Sequence, residues 1–339
     1  MSLLHIRNLH LAMRSYEGEA HVLNGVELQV DKGEIWGLAG ETGCGKSVTG
    51  LSVSRLVATP PARYLQGQIL FDGQDVLAMD EAAMRPLRGR AISMIFQDPS
   101  TNLNPVLRVG EQIADVAFEI GRHAPEVLGL TAQAGSAERQ RAARQLGVQM
   151  LERVGIADAA RRANDYPHQF SGGMRQRVLI AMALVGQPRL LIADEPTTAL
   201  DVTLQAQILQ LLADLVKRSD TAVLMITHNL GVVAQICSHV AVMYAGHVVE
   251  SGRTQEVLHA PRHPYTRALL AALPRPGLAR GQLANLPGRV PDLIHPPPGC
   301  RFAPRCARAS SLCDKATPAS VAVSGSHRVA CVHLDPEAA

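Results

Sequence analysis

The sequence predicts an α/β protein with a doubly wound core, and three observations carry that reading. Two continuous apolar runs, Leu190-Leu191-Ile192-Ala193 and Ala222-Val223-Leu224-Met225-Ile226, are bounded by polar residues, as in parallel strands covered on both faces. The helix-like segment Thr203 to Arg218 lies between them, so a right-handed crossover is expected. A third buried strand, Glu34-Ile35-Trp36-Gly37-Leu38-Ala39, runs into a glycine-rich turn and then a helix-compatible stretch from Lys46 to Leu56.

The other elements attach to this core in order. The first 35 residues alternate apolar and polar, as in His5-Ile6-Arg7-Asn8-Leu9 and Val26-Glu27-Leu28-Gln29-Val30, the period of half-buried antiparallel strands. Residues 66 to 77 read as a hairpin turned at Asp72-Gly73, and Ala91 to Phe96 as a short strand. From about 106 to 185 the pattern is helical, with Leu146, Met150, Leu151 and Val154 at helical spacing in Ala137 to Val154. From Pro261 onward prolines multiply. The expected organisation is therefore a domain over residues 1–260, with a helical subdomain inserted at about 106–185, and a C-terminal extension over 261–339. No tandem repeat of the core is visible.

Composition narrows the class. The 339 residues are 47% hydrophobic and 19% charged, ordinary for a folded protein. The net charge of +3 is spread along the chain, so no basic tract marks a nucleic-acid partner. The most apolar region, Val178 to Ala193, is broken by Gly186, Gln187, Pro188 and Arg189, short of the roughly 20 residues that cross a bilayer. The N-terminus lacks the form of a signal peptide, so a soluble cytoplasmic chain is expected.

Gly40-Glu41-Thr42-Gly43-Cys44-Gly45-Lys46-Ser47 matches G-x-x-x-x-G-K-[ST], after a strand and opening a helix. Backbone amides of such a loop wrap phosphates, Lys46 reaches the β- and γ-phosphates, and Ser47 offers its hydroxyl to Mg²⁺. The core thus reads as a P-loop NTPase. Alone, the loop leaves kinases, GTPases and many ATPases open. The apolar strand ending in Asp194-Glu195-Pro196 supplies a carboxylate for the Mg²⁺ site, Asp194, and a general base for water, Glu195.

Ser171-Gly172-Gly173-Met174-Arg175-Gln176-Arg177 adds a second anion site, a hydroxyl and two glycine amides at a helix N-terminus. This run resembles the signature sequence of the ABC ATPases. In that family the signature of one subunit closes over the γ-phosphate held by the loop of another. The resemblance extends to Gln97, matching the Q-loop that contacts Mg²⁺ or water; to Ala199-Leu200-Asp201, matching the D-loop; and to His228, matching the switch histidine at the γ-phosphate. Asn229 departs from the aspartate of most relatives. Tyr16, 24 positions before Gly40, stands where the family stacks adenine, although a loop could simply expose it.

Phe96-Gln97-Asp98-Pro99 continuing to Leu103-Asn104-Pro105, His263-Pro264-Tyr265-Thr266, and Gly299-Cys300-Arg301-Phe302-Ala303-Pro304-Arg305-Cys306 resemble the peptide and nickel branch of ABC importers. That branch implies a second ATPase subunit, by preference a paralogue, two membrane permeases and an extracytoplasmic substrate-binding protein, with this chain peripheral on the cytoplasmic face of the membrane. Di- and oligopeptides are the expected cargo, with nickel or another small solute open. An ABC ATPase acting on nucleic acid or ribosomes is the competing class, but coiled-coil insertions and a second cassette are missing from this sequence. A non-hydrolysing cassette would have lost Glu195 or His228.

Four of the six cysteines, Cys300, Cys306, Cys313 and Cys331, fall within 32 residues among prolines and turn-formers. So small a unit, poor in apolar residues, suggests a metal centre, and the gaps of five, six and seventeen residues favour a [4Fe-4S] cluster over the C-x₂-C knuckles of zinc. Zn²⁺ is the alternative, with His327 or His333 able to replace one thiolate.

Overall fold

The computed structural model describes residues 2–198, 200–273 and 286–334. The chain packs as two compact units, one formed by Met1–Leu77 with Met225–Ala339 and the other by Ala78–Leu224.

In the first unit the strand Leu4–Arg14 lies between the antiparallel strands Glu19–Val30 and Ala62–Phe71, with Gln74–Asp75 at the edge. Its large buried residues are Leu4 and Ile6, then Leu9 and Leu11, a switch from even to odd positions, with the small Ala12 also buried. A register shift between Ile6 and Leu9, with Asn8 at φ 44°, absorbs that switch and keeps one apolar face inward. Asp72 and Gly73 both take positive φ, the conformation that joins two strands by a tight turn.

The strand Ile35–Ala39 pairs in parallel with His239–Tyr244, Trp36 opposite His239 and Ala39 opposite Val242. From His239–Tyr244 the sheet continues through His247–Arg253 to His327–Val329 and Val321–Ser324. The helix after the glycine-rich turn is Lys46–Val53, shorter than the sequence pattern. Arg55 takes φ 51°, which ends the helix and leaves Leu56 exposed.

The C-terminal residues of this unit fold back onto its beginning. The amide of His21 donates to the Leu293 carbonyl, and Arg301 donates to the carbonyls of His21 and Ala245. Phe302 is buried edge-on against Tyr244 at 5.1 Å and lies 5.3 Å from Tyr265 between ring centres. This small aromatic core gives the proline-rich segment a place to pack that its own composition does not provide.

In the second unit Ile92–Ile95 and Leu190–Asp194 form a parallel pair, and every residue of the latter is buried. The helices Val109–His123, Ser136–Arg153 and Gly172–Leu184 make up the helical part. A Cβ on Gly147 would stand 3.3 Å from the Gly110 carbonyl, so small residues let two of these helices approach closely. The face of Ser136–Arg153 that is buried carries Ala143, Gly147, Met150 and Leu151, with Leu146 half-buried beside it. The crossover helix is Val202–Ser219, capped by Asp201, whose carboxylate accepts from the Leu204 amide at 2.9 Å. The buried strand Ala222–Thr227 follows it.

Candidate functional site

The phosphate loop lies wholly in the first unit. Gly40, Gly43 and Gly45 have φ of 153°, 82° and 103°, left-handed conformations that other residues adopt only with strain. At Gly40 a Cβ would also run into the Met243 carbonyl. Two of these glycines are thus demanded twice, by φ and by space, since a Cβ on Gly45 would meet Leu23 and the Val22 carbonyl.

Lys46 is 5% exposed, and its ammonium donates to the carbonyls of Gly40 at 2.8 Å and Glu41 at 2.9 Å. The lysine closes the loop on itself, held by carbonyls that a stronger anionic partner can replace. Cys44 is fully buried beneath it, and burial raises its thiol despite the neighbouring Lys46, so it stays an uncharged packing residue. Ser47 opens the helix Lys46–Val53 half-buried, and Thr42 and Gly43 are exposed.

Glu41 is held at each of its polar groups. Its amide donates to the Tyr265 hydroxyl at 2.9 Å, its carbonyl accepts from Lys46, and its carboxylate takes Arg305 at 2.7 and 3.1 Å. Tyr265 and Arg305 carry no assigned role in the sequence reading. They lie 224 and 264 residues away, and no local pattern links them to the loop.

The carboxylates Asp194 and Glu195 lie in the second unit. Asp194 ends its strand 6% exposed, and Glu195 follows at φ 46°, a left-handed turn unusual for a non-glycine residue. Glu195 is half-buried, and its carboxylate accepts from Gln97 Nε2 at 3.1 Å and from the Thr198 hydroxyl at 2.8 Å. Gln97 and Glu195, 98 residues apart in sequence, are therefore brought together.

Ser171 caps the helix Gly172–Leu184, its hydroxyl accepting from the Met174 amide at 3.4 Å. Gly173 is buried, where a Cβ would press on Leu204, whereas a Cβ on Gly172 would meet nothing within 4 Å. Ser171 and Gly172 are exposed. Asp201 is exposed as the cap already described, while Ala199 beside it lies outside the described residues.

His228, in the first unit, is exposed at the end of Ala222–Thr227. Asn229 caps the next helix, Leu230–Ile236, by accepting from the Gly231 amide at 2.8 Å, a task aspartate performs equally well. Tyr16 stands fully exposed in the turn between the first two strands.

Cys300, Cys306 and Cys331 are half-buried and Cys313 is buried. Burial, and after backbone hydrogen bonds the nearby thiols of Cys313 and Cys331, act on Cys300, whose thiol is raised. Cys313 Sγ lies 3.6 Å from His333 Nε2. Among the described residues, however, no group of three or more His, Cys, Asp or Glu is arranged to hold a metal ion. The four cysteines nevertheless share one neighbourhood, since Cys313 acts on the thiols of Cys300, Cys306 and Cys331, and Cys313 and Cys331 each also contact His333.

The ABC transporter family matches residues 23–198, and the oligopeptide/dipeptide transporter C-terminal region matches residues 249–313. The chain is 45% identical over 337 residues to the oligopeptide transport ATP-binding protein OppD of Bacillus subtilis, covering 99% of this chain and 90% of the relative. It is 45% identical over 334 residues to the probable D,D-dipeptide transport ATP-binding protein DdpD of Escherichia coli, covering 98% and 97%. Among solved structures it resembles the dimeric ATP-binding cassette MJ0796 bound to ADP and Pi, with a TM-score of 0.61 and 25% identity over 74% of this chain and 98% of that one.

Proposed function

The chain belongs to the ABC transporter family of ATP-hydrolysing subunits, and from that premise we propose that it powers the import of di- or oligopeptides through a membrane ABC transporter. The observation that carries the proposal is the closed phosphate loop, a left-handed glycine frame with Lys46 poised over it, joined in one chain to a C-terminal region of peptide-importer type. The loop amides and Lys46 hold the triphosphate. Ser47, Gln97 and Asp194 offer the oxygen ligands that suit Mg²⁺, which neutralises charge on the phosphates when bound. Glu195 takes the proton of the attacking water, and His228 contacts the γ-phosphate.

Ser171, Gly172, Gly173 and Asp201 serve the nucleotide of a second ATPase subunit, a paralogue by preference. No helix among the described residues is long and apolar enough to cross a membrane, so in this reading two permeases supply the channel, an extracytoplasmic binding protein supplies the cargo, and the chain sits peripherally on the cytoplasmic face. Tyr16, exposed as it is, stacks on adenine when nucleotide arrives.

The test is uptake of labelled di- and tripeptides in cells lacking this chain. Restoration by the parent gene but not by Glu195→Gln is the expected result. Uptake that persists unchanged without the chain would overturn the assignment of cargo.

The quartet Cys300, Cys306, Cys313 and Cys331 is proposed as a structural thiolate site for [4Fe-4S], with zinc as the alternative, supported by the crowding of four thiols in a segment with little core of its own. Anaerobic purification followed by iron, sulfide and zinc analysis decides it. Metal-free protein with full stability would end the proposal.

A further inference from the structure

Within the phosphate loop one residue is acidic, and its charge is of the wrong sign for the ligand. Glu41 sits immediately after Gly40, in the loop that must receive a polyanionic triphosphate, and an unpaired carboxylate there would repel it. The structure removes that problem from a distance. Arg305 takes both carboxylate oxygens, at 2.7 and 3.1 Å, in the two-pronged geometry that gives the strongest carboxylate pairs. The Arg305 side chain is 4% exposed and that of Glu41 30%, so the pair is sheltered on its arginine side.

The guanidinium is itself fixed on every side. Its Nε donates to the Pro287 carbonyl at 2.8 Å, its Nη1 donates to the Tyr244 hydroxyl at 3.3 Å, and it lies 5.6 Å from the centre of the Tyr244 ring. Tyr265 holds the Glu41 amide from the same side. These partners come from the strand His239–Tyr244, the helix Pro264–Ala271 and the segment around Pro287, so the orientation is built by the fold rather than by one flexible side chain.

We propose that Arg305 is a positioning residue for nucleotide binding: by neutralising Glu41 and turning its carboxylate away from the loop, it keeps the phosphate loop receptive to the triphosphate. The C-terminal region therefore completes the ATP site instead of merely adjoining it. Arg305 precedes Cys306, so disruption of the cysteine-bearing segment reaches the loop through this pair. The inference rests on the reading of residues 40–47 as the ATP-binding loop.

The measurement is equilibrium binding of Mg-ATP to the full-length chain, with KM and kcat for ATP taken on the co-expressed transporter. Arg305→Ala is expected to weaken ATP binding about tenfold and to raise KM similarly, while kcat at saturating ATP changes less than about twofold. Adding Glu41→Gln to Arg305→Ala removes the bare carboxylate and is expected to recover most of the lost affinity, which a purely structural role for Arg305 would not produce. Arg305→Lys, which keeps the charge but not the two-pronged fit, should fall between parent and Arg305→Ala, and it serves as the test should Arg305→Ala fold poorly. Unchanged affinity in Arg305→Ala or Arg305→Lys, or a double variant no tighter than Arg305→Ala, overturns the inference. Lys46→Ala separates the two readings: if it binds ATP as the parent does, the loop assignment fails, whereas its loss of binding beside an unaffected Arg305→Ala rejects Arg305 alone.

Discussion

The phosphate loop of the first unit and the carboxylate strand of the second are held in different ways. The phosphate loop is closed by a buried lysine, framed by glycines that the backbone demands, and braced at Glu41 by Tyr265 and Arg305. At the end of the carboxylate strand Glu195 accepts from Gln97 and Thr198, both at exposed positions. Binding a fixed triphosphate rewards a preformed cradle. Hydrolysis that waits for a partner rewards groups whose bonds can be exchanged, so the exposed partners Gln97 and Thr198 are where control over turnover is expected.

The sharpest way to break this comparison is to disable each in turn. Lys46→Ala removes the cation from the phosphate loop and should weaken ATP binding by roughly two orders of magnitude, as measured by nucleotide titration. Glu195→Gln keeps shape and a polar contact but removes the base, so steady-state turnover should fall by roughly 10²-fold or more with ATP binding retained. A Glu195→Gln variant that turns over ATP at the parent rate would show that the base has been misassigned. Loss of binding in both variants would mean that the loop and the carboxylate strand are not functionally distinct.

Acid should also tell the units apart. Burial lowers His247 to about 3, with Arg301 and His10 adding to the effect, and lowers His263 to about 4 against the opposing charge of Glu250. Both histidines lie in the first unit and are neutral when folded, so the unfolded chain binds more protons as pH falls below about 6.5. Stability of this unit is therefore full above pH 6.5 and is lost progressively as pH falls towards 4, by up to about 1.4 kcal/mol per pH unit for each histidine. In the second unit Glu119 is a surface carboxyl lowered by hydrogen bonds from Arg85 and then Arg122. Hydrogen exchange followed from pH 7 to 4.5 should show the first unit opening before the second, and His263→Asn should flatten its slope. Equal opening of both units would remove the histidines from the account.

How much of this was legible in the sequence follows from how local each determinant is. The loop, the strand ending in Asp194-Glu195 and the cap at Ser171 are written in consecutive residues, and the structure puts each on the element expected. Glu195 meets Gln97 because the parallel strands that precede them, Ile92–Ile95 and Leu190–Asp194, are adjacent and in register, which motif order anticipates. The Glu41–Arg305 pair could not be read, since charges 264 residues apart become partners only through the fold. Helix limits were off where a backbone conformation intervened, as with Arg55 ending its helix before Leu56. The cysteine quartet is the opposite case: a clear local pattern for which no group of three or more metal-ligating side chains is found among the described residues.

A smaller effect tests the exposed signature. Gly172 opens its helix with no positive φ and with space for a Cβ, so the fold does not require glycine there, whereas Gly173 packs on Leu204. Gly172→Ala should leave the melting temperature unchanged or slightly raised, since alanine is the better helix former. If Gly172 instead admits the phosphate of a neighbouring subunit, the same change should lower ATPase activity of the assembled transporter about tenfold without affecting nucleotide binding to the isolated chain. Parent-level activity in the assembly would argue against the signature as a phosphate site.

The smallest effect is expected at Asn229, beside His228, the proposed contact of the γ-phosphate. Its side chain accepts the Gly231 amide at 2.8 Å, and that cap is the contact the structure gives it. Asn and Asp cap helices about equally, whereas alanine typically costs about 1 kcal/mol. Asn229→Asp should therefore change stability by less than about 0.5 kcal/mol, and Asn229→Ala by about twice that or more, in denaturant unfolding of the intact chain. Turnover of Asn229→Asp should stay within about twofold of the parent, because the carboxylate introduced at 229 is occupied by the cap and the added charge stands at an exposed position. A several-fold change in kcat with unaltered stability would show that the charge at 229 acts on catalysis through His228.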